Sequence, residues 1–336
     1  MSHSNSSLNC FTDCMAKYNH RYILHTPPCK PPSEHLTFGT MAHDVLHKAG
    51  QLRDDCADGV VTKDDYYNVI PSEVDATNLK NFFAINNWQR YFTAVIKQTA
   101  EYEKQCIDEL KRESGTDVLI EREVKLQFTA DELAEMGYYN IKQPLVGIID
   151  LLLYTPTHAI ILDYKFSSNR KSQDDFDMDS QLPLYATLVS MAYDIPIHNI
   201  QYGYIDIPKQ DFGQPILLSN GTLSRSKSQN LSADMYEKAV IAIHGDDPLY
   251  NCKPGGYYYD CYCNLKTNKA AYLSKQWADL DVVTNMTDDL IRESQMIDKM
   301  IEEGMPFLRK YGAYNCKNCE YLDSCKPWLG LGGKND

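Results

Sequence analysis

Two neighbouring segments constrain this chain more than any other feature: LVGIIDLLLY at residues 145–154 and AIILDYKFS at residues 159–167, joined by the four residues Thr155-Pro156-Thr157-His158. Their density of Ile, Leu and Val marks covered strands, and the short polar join predicts a hairpin. If Tyr154 pairs with Ala159, Asp150 falls opposite Asp163 across the ladder. Strand alternation then puts Lys165 on the face of Asp163, one pleat along. Burying even a neutral polar group among such residues costs roughly 2 to 7 kcal/mol, so three converging charges require a reason. A divalent cation offsets the cost. Hard oxygen ligands favour Mg2+ or Mn2+, which activates a water for attack on phosphorus and neutralises phosphate oxygens, while Lys165 stabilises developing charge or positions the water. The competing reading of the D-x-K tripeptide is an edge-strand ion pair, with Asp150 a satisfied carboxylate near a turn.

Around this hairpin the pattern is α/β. Residues 6–25 read as a helix capped by Ser6 or Ser7, with Leu8, Phe11, Met15 and Tyr18 at helical spacing. A second helix is expected over 37–49, carrying Gly39, His43 and His47, and residues 51–115 look helical and polar, as an inserted lobe. Strands begin at Val118 with the alternating VLIEREVKLQF. After the hairpin come a helix over 180–193, with Pro183 in its first turn, and a strand IQYGYIDI, giving the order β-β-β-α-β. A helix over 233–244 and a last one over 288–303 follow, and the Tyr- and Cys-rich stretch near 250–264 has no clear period. The expected division is 1–50 for N-terminal helices, 51–117 for a helical insertion, 118–208 for the core, 209–287 for a second insertion and 288–336 for a C-terminal helix and cysteine segment.

The ordered set G-I-I-D, D-Y-K and then Q-L-P-L-Y resembles the RecB-like nucleases of the PD-(D/E)XK superfamily. That resemblance implies a restriction-endonuclease-like core, a mixed sheet flanked by helices. It also implies Asp150 and Asp163 as metal-binding acids, Lys165 as the catalytic lysine and the Tyr164 carbonyl as a further ligand. Gln181 and Tyr185, at i and i+4 on one helix face, match the Q-x-x-x-Y helix and would contact substrate or orient Lys165. Gly39-x-x-x-His43 matches the upstream metal-binding histidine; a lone His is more often packed or solvated, and His47 one turn on opens a zinc pair as another reading. Glu123 is given no more than a supporting role.

Eleven cysteines, an odd number, argue against a disulfide framework. Cys316, Cys319 and Cys325, spaced C-x2-C-x5-C, supply three thiolates and need a fourth from elsewhere. The iron-sulfur branch of the resembled family takes it from an N-terminal helix, which implies Cys14, with Cys10 the rival one turn earlier. Four thiolates suit a [4Fe-4S] cluster or tetrahedral zinc; the resemblance favours the cluster. Cys252, Cys261 and Cys263 fit no common ligand spacing, and with Cys56 and Cys106 they are read as packing thiols.

No run of about 18 apolar residues is present and the start lacks a signal-like order, so a soluble, cytoplasmic protein without membrane partners is expected. The resemblance implies a DNA exonuclease acting on single-stranded ends, with recombination or replication proteins as partners. A net charge of −13 opposes this. It favours the alternative of a DNA-binding or assembly subunit that keeps the fold with little turnover. A nuclease of RNA with zinc in the cysteine site is the third reading, and the 24 tyrosines are a weak hint of base stacking.

Overall fold

The computed structural model describes residues 1–31, 33–56, 68–70, 85, 87–167, 171–209, 215–226, 229, 231–310 and 313–325. Helices α1 (Asn5–Asp13), α2 (Met15–Tyr18), α3 (Glu34–Asp55) and α4 (Trp88–Ser114) precede strand β1 (Leu119–Phe128). A short helix α5 (Ala130–Glu135) leads into the hairpin of β2 (Leu145–Tyr154) and β3 (Ala159–Ser167). Helices α6 (Gln173–Asp177) and α7 (Gln181–Tyr193) then cross to β4 (Ile200–Pro208). Beyond it lie α8 (Ala233–His244), α9 (Tyr259–Leu265), β5 (Tyr272–Trp277), α10 (Leu280–Glu302), α11 (Ala313–Asn318) and α12 (Leu322–Cys325).

The five strands form one mixed sheet in chain order, with β3 and β4 parallel and the other neighbours antiparallel. The parallel pair requires a crossover, which α6 and α7 provide. One face carries α3 and α4: Phe38, Val45, Trp88, Phe92, Ile96 and Leu110 pack with Leu151, Leu153, Ile160, Leu162 and Ile205. The other face carries α7, whose Leu182, Tyr185, Ala186 and Val189 meet Ile149, Leu152, Ile161 and Tyr204. A third cluster joins α1 to α7 and α10 through Leu8, Phe11, Leu184, Leu188, Ile291 and Ile297, and a satellite core lies under α8 and α9.

Several elements depart from the sequence reading. Residues 88–114 form no separate polar lobe: α4 is amphipathic and covers the sheet, its charges on the outer face. Residues 57–67 and 71–84 of that expected insertion lie outside the described residues. The first helix is capped by Ser4 and opens at Cys14, which is extended; the Ala16 N–H bonds the Leu308 carbonyl instead of continuing the helix. Helix α3 is longer than expected, with Ser33 capping it. Strand β5 is an addition, polar enough to hide from hydrophobic alternation.

The hairpin register is the expected one, Tyr154 against Ala159 and Leu151 against Leu162, but paired residues end there. Beyond that point β2 stays with β1 and β3 stays with β4, so the sheet splays at Asp150 and Asp163. Alternation also breaks there. Leu151 and Leu153 face α4 whereas Ile149 faces α7; on β1 Ile120 faces α4 whereas Val124 packs toward α7. The residue between them, Glu123, has a left-handed φ of 49° and stands across from Asp150 in the register. Such a conformation costs a non-glycine residue about 1–2 kcal/mol.

On β4, Gly203 allows β5 to approach: a Cβ there would meet the Ser274 carbonyl oxygen at 2.2 Å. Backbone cannot yield cheaply, so Gly203→Ala should lower unfolding stability by about 1–3 kcal/mol, measured by denaturant titration. A midpoint equal to wild type would refute this view of the β4–β5 contact.

Candidate functional site

At the splay, side chains from both helical layers reach the two acids. Asp150 Oδ2 accepts the Tyr164 N–H at 2.7 Å, and Oδ1 lies 3.3 Å from His43 Nδ1 on α3. Asp163 Oδ1 accepts from Gln181 Nε2 at 2.9 Å, and Oδ2 lies 2.7 Å from Lys165 Nζ. Lys165 Nζ donates to Gln181 Oε1 at 2.7 Å, and Gln181 Nε2 also reaches Tyr185 Oη at 2.7 Å. The structure therefore gathers Asp150, Asp163, Lys165, His43, Gln181 and Tyr185 in one place, the residues singled out from sequence. Gly147, the glycine of G-I-I-D, lets α7 come close: a Cβ would meet Leu188 at 2.6 Å and Tyr185 at 3.0 Å. His47 pairs instead with Glu123, its Nδ1 3.9 Å from Oε2.

The charges are strongly coupled. Burial and the Asp150 carboxylate push Asp163 up to about 6, against the pull of Lys165 and His43. Burial would lower Lys165 and His43, but Asp163 holds the ammonium up and Asp150 holds the imidazolium up. Two crowded carboxylates suit a divalent cation, since hard oxygen donors favour Mg2+ or Mn2+, and the His43 imidazole is the softer donor of the set. Among the described residues no three donors are already gathered around one point; the acids are engaged with His43, Gln181 and Lys165.

Beneath the site lies a buried ion cluster that the sequence reading missed. Tyr164, between the acid and the lysine of D-Y-K, points to the opposite face and donates its hydroxyl to Glu103 at 3.1 Å. Glu103 on α4 accepts from Arg53 at 2.7 Å and from Arg122 at 2.9 Å, and Arg122 also binds Asp54 at 2.6 Å. Arg53 rides on α3 with His43, and Arg122 precedes Glu123 on β1, so one carboxylate ties together the elements that carry the site. Gly50 leaves room for it: a Cβ there would sit 2.5 Å from the Arg122 guanidinium. The available signal was a lone acid on an apolar stripe, since Glu103 shares its helix face with Thr99, Cys106 and Leu110.

The cysteines divide into two groups. Cys106, Cys252 and Cys261 are buried packing thiols, as expected, while Cys56 is half-buried at the end of α3. Burial raises the Cys325 thiol, Cys319, Cys14 and Cys316 add to the rise and Arg309 opposes them, but among the described residues no three thiols are gathered around one point. Cys319 is raised by burial and Cys14 and lowered by Lys17. Cys10 lies on α1 and is buried in the core. The two chain ends also meet without any metal. Cys29 N donates to the Glu320 carbonyl at 2.7 Å, Lys30 reaches the Lys317 carbonyl at 2.7 Å, and Phe307 stacks on Tyr18.

The buried cluster sets a pH dependence. Burial raises Glu103, but Arg53 and Arg122 more than offset this and hold it below its ordinary value. A carboxyl lowered by folding contributes stability above its unfolded value, about 4.3, and loses it as pH falls through the folded value. Glu103→Ala should cost about 3–5 kcal/mol near neutrality, because two largely buried guanidinium groups lose the carboxylate they share. The loss should shrink in acid below about pH 4. Denaturant midpoints across pH check this, and a deficit independent of pH would contradict it.

No curated protein matches the chain. A solved structure of a protein described as a candidate exonuclease from Eubacterium rectale superposes with a TM-score of 0.41 at 9% identity, covering 96% of this chain and 87% of that one. The family model for the PD-(D/E)XK nuclease superfamily matches residues 2–326. With its acids and lysine at the splay of a mixed sheet, the chain belongs to the PD-(D/E)XK nuclease superfamily.

Proposed function

We propose that this protein is a metal-dependent DNA exonuclease that hydrolyses phosphodiester bonds at single-stranded ends. The observation that carries the reading is the meeting of Asp150, Asp163 and a partly exposed Lys165 at the splay of the sheet. Asp150, Asp163 and His43, with the Tyr164 carbonyl, would hold Mg2+ or Mn2+. A bound ion of this kind supplies charge neutralisation at phosphate oxygens and a more acidic water. The protein's own groups do the rest. Lys165 offers an ammonium to the phosphate as charge develops, and Gln181, bonded to Lys165, Asp163 and Tyr185, fixes the position of that ammonium.

The test is degradation of end-labelled single-stranded DNA with Mg2+ or Mn2+. Lys165→Ala and Asp163→Asn should each cut turnover by on the order of 10²–10³-fold or more, with the fold retained by circular dichroism. Chelation should abolish activity in wild type. A Lys165→Ala protein as active as wild type would refute the assignment. A wild type that binds strands but never cuts them would favour a binding or assembly subunit, and cleavage confined to RNA would revise the substrate.

The reading extends to the cysteines, where Cys14, Cys316, Cys319 and Cys325 would hold a [4Fe-4S] cluster and so tie the two ends of the chain together. Its support is the C-x2-C-x5-C spacing of three free thiols, with the free Cys14 of the N-terminal helices near enough to act on Cys319 and Cys325. Anaerobically purified protein should be brown with broad visible absorption, and Cys319→Ser should bleach it. Colourless protein containing stoichiometric zinc would replace the cluster with zinc. Because aromatic packing and hydrogen bonds also join the ends, Cys319→Ser should loosen the termini and leave the sheet folded, which hydrogen exchange can resolve.

A further inference from the structure

We infer that an open cleft beside the acids, bounded by Lys171, Ser172, Gln173, Phe176 and Ser274, holds the nucleotide flanking the scissile phosphodiester, with Lys171 Nζ on its phosphate. The inference rests on the nuclease reading above and adds a binding subsite to it. Its position comes from the sheet. Asp163 pairs with Tyr204 on β4, and Tyr204 pairs with Ser274 on β5, so the three form one row across the strands. Side chains of paired residues share a face, and strands lie about 4.8 Å apart. The cleft wall therefore stands about 10 Å from the acid, on the same side of the sheet.

Tyr204 is the partition between the two sites. Lys165 Nζ lies 5.3 Å from its ring centroid and Lys171 Nζ 4.1 Å. Two ammonium groups thus lie against one aromatic ring in the row that leads from the acid to the cleft. The cleft volume is about 350 Å³, within the range of small-ligand pockets, about 300–1,000 Å³. Phe176 forms its apolar wall, stacked on Tyr202, with serine and glutamine at the rim.

Lys171 is fixed by the machinery that fixes Gln181. Asp179 Oδ2 holds Lys171 Nζ at 2.5 Å, while Oδ1 accepts the Gln181 N–H at 2.9 Å. An ammonium has three donors, and Asp179 occupies one, leaving capacity for a phosphate at a side chain that is 24% exposed. Charge, not size, selects this cleft. A larger one, about 430 Å³ along α4, is lined by Glu101, Asp108 and Glu109 against Lys104 and Arg112, a set that repels a polyanion.

The test is fluorescence anisotropy of labelled single-stranded oligonucleotides in Ca2+, across salt concentrations, with wild-type cleavage in Mg2+ recorded alongside. Lys171→Ala should raise Kd about five- to tenfold and reduce the slope of log Kd on log salt by about 0.7, the value for one phosphate contact on a single strand. Lys171→Arg should keep most of the affinity, and Lys299→Ala, a control on the exposed face of α10, should match wild type. Ser274→Trp, which fills the cleft and keeps the Lys171 side chain, should also raise Kd, and covers the case in which Lys171→Ala misfolds. Unchanged Kd and slope in Lys171→Ala, or unchanged Kd in Ser274→Trp, overturn the inference. If wild type cleaves while these variants bind normally, the subsite alone fails. If wild type never cleaves yet binding depends on Lys171, the nuclease reading fails and the cleft remains a strand-binding site.

Discussion

Two carboxylates standing side by side repel each other, and most of this structure can be understood as the means of holding Asp150 and Asp163 together. A regular antiparallel hairpin would pair them with side chains confined between one sheet face and one helix layer. The chain departs from that geometry. Glu123 adopts a left-handed backbone opposite Asp150, alternation changes sides in both strands at this point, and β2 leaves β3. The opening exposes the acids to both layers at once. His43 arrives from α3 and Gln181 from α7, which no continuous sheet would permit. The Tyr164 N–H, freed from a ladder bond, becomes a donor to Asp150.

A splayed sheet has lost part of its own cohesion and must be held from below. Glu103, Arg53, Arg122 and Asp54 do so with charge instead of apolar contact. A buried ion cluster is weak as a source of stability, because desolvation consumes most of the Coulombic gain. Its value here is directional. The Tyr164 hydroxyl bonds to Glu103 on one side of the sheet while the Tyr164 N–H bonds to Asp150 at the opening, so the strand segment carrying Asp163 and Lys165 is fixed from both ends of a single residue. An apolar replacement would fill the space and leave that segment free to rotate.

The sequence carried the site more clearly than its supports. Asp163 and Lys165 fall on one face because strand period is 2, and the length of the TPTH loop sets the register between Asp150 and Asp163. What failed was the assumption of an unbroken pleat: a glutamate gives no sign that it will take a positive φ, as a glycine would. Helix α4 looked polar because its outer face is dense with Lys, Glu and Gln, although Trp88, Phe92, Ile96 and Leu110 trace an apolar stripe. The break at Cys14 is a tertiary effect, set by the distant carbonyl of Leu308. Lys171 and Asp179 carry no motif, and only the row through Tyr204 gives them meaning.

The remaining tension is electrostatic, since a chain of net charge −13 should repel a nucleic acid. Local arrangement resolves it. Lys165, Lys171 and Lys209 all lie where β3 and β4 run out. Glu103 is neutralised within its own cluster, and Glu121 is bonded to Tyr154 and Tyr193 at the far end of the sheet. At 0.15 M salt, charges beyond about 8 Å are largely screened. A strand at the opening therefore senses the nearby lysines, the two acids, Asp179 on Lys171 and the aspartates of α6, and hardly the acidic surface elsewhere. The long-range repulsion acts on encounter and reduces the rate at which strands arrive, so affinity depends on what the opening itself provides. With Asp150 and Asp163 adding negative charge there, a divalent cation on the acids would ease the approach of a strand, so the proposed function would tie substrate binding to metal binding.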